Sequence, residues 1–109
     1  MKVNILGVTY TVEEKTKNEE PRLADCDGFC DKTTREIVVT KQIDSDLGDW
    51  NVYRKKIIRH EIIHAFLFES GLHENFKHAD QFGHDETMID WFAVQYVKLK
   101  TAFEEADAV

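Results

Sequence analysis

At 109 residues the chain has room for one domain, 1–109, built round a single modest core. Its composition, 42% hydrophobic and 32% charged, is that of an ordinary globular protein, and no run approaches the roughly 18 apolar residues needed to cross a membrane. Fourteen Lys and Arg against 21 Asp and Glu leave a net charge of -7, which disfavours nucleic acid as a partner because no excess of cations is available to neutralise phosphates.

The opening "MKVNILGVTYTVEE" has one lysine, a very short apolar stretch and no small-residue cleavage site, so a cytoplasmic protein is expected. In that compartment Cys26 and Cys30 are reduced thiols, and with no second pair they make a poor zinc knuckle. Residues 3–13 are rich in β-branched and aromatic types and read as a first strand interrupted at Gly7. The polar "EKTKNEEPR" that follows reads as a loop. "DCDGFCDKTTREIVVTKQ" reads as a hairpin, with a strand about Gly28 to Cys30, a turn through Asp31 to Thr34 and a second strand through Glu36 to Thr40.

Helix starters at Asp46 or Asp49 and a stop at Gly71 bracket a helix from about Trp50 to Ser70. Its second half places Ile57, Ile58, Ile62, Ile63, Ala65, Phe66, Leu67 and Phe68 on nearly every side, the pattern of a helix that runs through the interior. Its cations, Arg54, Lys55, Lys56 and Arg59, read as a solvated face. After a polar loop, Asp85 is a plausible cap for a second helix with Met88, Ile89, Phe92, Ala93, Tyr96, Val97 and Leu99 as candidate core residues. The expected class is α+β, a small N-terminal antiparallel sheet packed on a buried helix and a C-terminal helix.

Within the first helix, "RHEIIHAFLFESG" sets His60 and His64 four apart, one turn above the other on one face. Two imidazoles so placed can hold one Zn²⁺ at about 2.0 to 2.1 Å, and Glu61 on the adjacent flank can reach water at the metal without binding the metal itself. This is the HExxH arrangement. A catalytic zinc needs a third protein ligand, and the continuation HExxHxxGxxH fails because Leu67 stands where glycine belongs and Ser70 where histidine belongs. "ETMID" on the second helix offers Glu86 to complete the sphere and Asp90, four residues on, to accept a hydrogen bond from a ligand histidine. Taken alone, Glu86 reads rather as an acidic residue in a helix's first turn, stabilised by the macrodipole.

On "HEIIHAFLF", "ETMIDWFA" and the hairpin "GFCDKTTREIVVTK", the chain resembles the zincin metallopeptidases, most closely the small ImmA/IrrE-like and phage-encoded members. The resemblance covers about residues 25–100. It implies a zincin-like fold, zinc on His60, His64 and Glu86, Glu61 as general base, Asp90 behind the ligands, and a phage or mobile-element setting. A weaker similarity to SprT-like proteases, carried by "GHDE", makes His84 the alternative third ligand. His73 and His78 read as solvated loop residues. The reaction implied is hydrolysis of a protein or peptide by metal-activated water, with the exposed edge at Glu36 to Thr40 aligning the substrate as an added strand. The alternative is a noncatalytic zinc-binding regulator or interaction domain. Substrate and oligomeric state are not legible in the sequence.

Overall fold

The computed structural model describes residues 1–41, 46–73 and 86–109, with the backbone only at Glu86 and Ile89. Four strands, β1 (Lys2–Ile5), β2 (Val8–Lys15), β3 (Gly28–Asp31) and β4 (Glu36–Thr40), precede two helices, α1 (Trp50–Ser70) and α2 (Glu86–Glu105). The class is α+β.

What reads as one interrupted strand is a hairpin. Leu6 (φ 52) and Gly7 (φ 90) both adopt the left-handed region, the signature of a two-residue turn whose twist matches its strands, and Asn4 Oδ1 accepts the Gly7 N–H at 2.7 Å. β1 and β2 therefore pair antiparallel, Ile5 opposite Val8. From Lys15 the chain passes through a short 3₁₀ turn at Pro21–Ala24 and enters the second hairpin, whose strand β4 returns parallel to β2, Val12 opposite Ile37. The sheet is thus mixed and not antiparallel throughout. A connection of this length is what lets two strands run the same way.

The order β1-β2-β4-β3 corrects a second expectation. β4 lies inside the sheet, flanked by β2 and β3, so Glu36 to Thr40 has no free edge. Among the described residues the outer strand of this hairpin is β3, and β1 forms the opposite edge of the sheet.

Alternation sorts the sheet into two faces. Val3, Ile5, Tyr10, Val12, Ile37 and Val39 meet Ile57, Ile58, Ile62, Ala65 and Phe66 of α1 in the main core. Val38 and Leu23, both buried, stand outside that cluster, Val38 being out of phase with Ile37 and Val39. Gly28 lies close under α1, and a Cβ there would meet Ile57 Cγ2 at 2.7 Å and the Val38 carbonyl oxygen at 3.1 Å. Gly28→Ala is expected to lower stability by about 1 to 3 kcal/mol, read from urea unfolding at unchanged m-value.

α1 begins and ends where its local signals say. The Asp49 side chain accepts from the Val52 N–H at 3.2 Å, and Gly71 (φ 81) closes the last turn by donating to the Phe68 carbonyl at 3.3 Å. Its burial differs from the expectation. Ile57, Ile58, Glu61, Ile62, Ala65 and Phe66 form one buried stripe, while Ile63, Leu67 and Phe68 are half buried, because the sheet covers only one side of the helix. Of the cations expected on a solvated face, Lys56 is exposed, but the other three are engaged: Arg54 pairs with Glu14 at 3.0 Å, Lys55 donates to a Val109 oxygen at 2.9 Å and Arg59 to the Ala108 carbonyl at 2.8 Å. They fasten the sheet and residues 108–109 to α1.

α2 packs through its C-terminal half, where Leu99 and Ala102 are buried and Ala106 follows them into the core. Met88, Phe92, Ala93, Tyr96 and Val97, expected in the core, are exposed, Val97 at 70%. Helical spacing identifies the apolar side of a helix but not how far along it the packing partner extends. Among the described residues, no helix is long and apolar enough to cross a membrane.

Candidate metal centre

The register of α1 does most of the work at the site. His60 and His64, one turn apart, bring their Nε2 atoms to 3.2 Å with ring centroids 4.8 Å apart at 69°. Two zinc–nitrogen bonds of about 2.05 Å meeting at the tetrahedral angle span about 3.3 Å, so the spacing of the two nitrogens fits a shared ion without rearrangement. Glu61 Oε1 lies 3.7 Å from His60 Nε2, and the ligand atoms of His60, Glu61 and His64 all lie within 4.8 Å of one another. This group can hold a metal ion.

Its three members differ in exposure. The His60 side chain is 57% exposed, His64 is half buried, and Glu61 is 6% exposed on the core side of the helix. Burial pushes the Glu61 carboxyl up to about 7, so it exchanges protons near neutrality. Burial, followed by the neighbouring His60 and His73, holds His64 below the usual histidine range, which keeps it neutral and ready to donate a lone pair.

The remaining expected site residues fall differently. Glu86 opens α2, but its side chain, like His84 and His78, lies outside the described residues. Asp90 is exposed, and among the described residues no hydrogen bond joins it to either imidazole. Cys30 lies beside the centre as a thiol, pushed up to about 12 by burial and then by Glu61, Asp31 and Glu69. Both cysteines are free.

Two features escape a reading of the sequence. His73, expected in solvent, is half buried and packs edge-on against Phe68 at 4.7 Å, and Phe68 in turn stacks on His64 at 6.2 Å. The row His60, His64, Phe68 at intervals of four was the available signal. A groove of about 520 Å³ extends this row to the outer edge of β3 and is lined by Phe29, Cys30, Lys32, Phe68 and His73 among others.

Fold and site thus define an α+β protein with a helix-borne His-Glu-His group suited to a metal ion. Neither a protein-family model, nor a curated protein, nor a solved structure matches the chain.

Proposed function

We propose that the chain is a zinc-dependent metallopeptidase of the zincin type that hydrolyses peptide bonds. The observation that carries this reading is the 3.2 Å convergence of two imidazole nitrogens beside a buried carboxyl that titrates near neutrality. His60 and His64 hold the ion, with Glu86, or alternatively His84, as the third ligand and Asp90 behind them. Bound there, Zn²⁺ supplies Lewis acidity toward a scissile carbonyl and toward water.

The chain's own residues do the rest. Glu61, shielded from solvent but within 3.7 Å of His60 Nε2, takes a proton from the attacking water and passes it to the departing amine nitrogen. The side of β3 that no other strand pairs among the described residues offers main-chain hydrogen bonds to an extended peptide, a task that falls to this strand because β4 is enclosed. Strand addition of this kind tolerates many sequences, so selection falls to neighbouring side-chain contacts.

Elemental analysis is expected to find one zinc per chain, and incubation with unfolded protein to yield fragments that a chelator suppresses and added zinc restores. Zinc without cleavage of any unfolded or peptide substrate would favour the noncatalytic regulator. Absence of tightly bound metal after zinc reconstitution would overturn both readings.

A further inference from the structure

We propose that the groove at the edge of β3 selects the substrate by one side chain, accepting a large uncharged one, aromatic above all, and turning away lysine and arginine. This rests on the peptidase reading and names the substrate class for it.

The groove straddles the sheet edge. Adjacent strand residues project to opposite faces, and Cys30 packs against the main core while Phe29 points the other way, yet both line it. An extended peptide added to β3 would therefore lie along the groove floor, its alternate side chains falling to either side.

On the helix side the wall is aromatic, Phe68 and His73 meeting edge to face at 4.7 Å. Phe68 lies one turn beyond His64, with 6.2 Å between ring centroids, and two residues of extended chain span about 6.6 Å. The side chain that meets Phe68 thus belongs to a residue within about two positions of the bond being cut.

Charge decides what that side chain is. The Lys32 ammonium lies over the Phe68 ring at 5.2 Å, and the Arg22 guanidinium lies over Phe29 at 4.2 Å. Arg22 is occupied by Glu20 at 3.0 Å and Asp31 at 2.8 Å, whereas Lys32 is exposed at the rim. An incoming aromatic ring gains a ring contact with Phe68 and offers its own face to the ammonium. A basic side chain must compete with the Lys32 ammonium for the Phe68 face and is repelled by it.

The test is binding, separate from turnover. Zinc-loaded Glu61→Gln protein is titrated with alanine-based octapeptides that carry Phe, Leu, Ala or Lys at one central position, and amide shifts are followed by NMR. The Phe peptide is expected to bind roughly tenfold more tightly than the Lys peptide, with shifts concentrated at residues 29–33 and 68–73. Phe68→Ala should remove the aromatic preference. Lys32→Glu, a change at an exposed position that spares the fold, should reverse the rejection of the Lys peptide. Equal affinities for the four peptides, shifts elsewhere, no shifts at millimolar peptide, or a Lys32→Glu profile identical to the parent would each overturn the proposal. Groove binding with this preference in a protein that neither holds zinc nor cleaves would sink the peptidase reading and leave the selectivity standing.

Discussion

Replacing Glu61 with glutamine is expected to leave one zinc ion bound and the fold intact while lowering kcat/KM for peptide hydrolysis by roughly 10²- to 10⁴-fold, the usual contribution of a positioned general base. The amide has nearly the same shape as the carboxyl, and the proposed ligand nitrogens belong to His60 and His64, so metal affinity has little reason to fall. What the substitution removes is the capacity to take up a proton. Glu61 is fitted to that task by its place on α1: the residue after His60 faces the core, where burial raises its carboxyl to about 7. A base with that affinity accepts a proton from water readily and releases it again at neutral pH. Zinc stoichiometry and steady-state kinetics on the same preparation are the measurement, and activity within a few-fold of the parent would remove Glu61 from the mechanism.

The His60–His64 pair and the bounds of α1 are legible in the sequence for a common reason. Each depends on chemistry within a few residues: the Asp49 cap, the left-handed Gly71 and a four-residue spacing. The second hairpin is legible likewise, since its turn is set by Asp31, whose Oδ1 accepts the Thr33 N–H at 2.9 Å. What is not legible depends on where distant elements meet. The turn at Leu6–Gly7 needs a left-handed leucine, which no local pattern announces. That β4 is central and β3 at the edge follows from β2 pairing with β4 across 20 intervening residues, Lys15 to Glu36, a choice made by the whole sheet. The groove gathers residues from 22–33, 68 and 73, and only the packed fold brings them together. Of the expected site, the structure groups His60, Glu61 and His64 on α1, while the part assigned to α2 rests on Glu86, whose side chain lies outside the described residues, and on Asp90, which is exposed.

Glu61 also ties function to stability, and the metal-free protein exposes the link. Its carboxyl rises from an ordinary 4.5 to about 7 in the fold, so between these values the native chain holds a proton that the unfolded chain has lost. Native stability must then fall as pH rises through that window, the penalty being complete above pH 7 and absent below pH 4.5. Two and a half pH units correspond to about 3 kcal/mol at full development. His64, held below its usual range, acts in the opposite sense, costing stability as pH falls below about 6.5, but it does so equally in parent and variant. The difference between them therefore isolates Glu61. Metal-free Glu61→Gln is expected to exceed the parent by about 3 kcal/mol at pH 8, a rise in Tm of about 10 °C or more, with the gap closing toward pH 5. Urea titrations across that range would measure it, and an equal gain at both ends would show that burial of the charge is not the cause. Zinc should narrow the gap at pH 8, because a nearby dication favours the carboxylate that burial opposes. A buried acid at this position thus weakens the empty protein in the pH range where the loaded one would work, as expected where local stability is given up for chemistry.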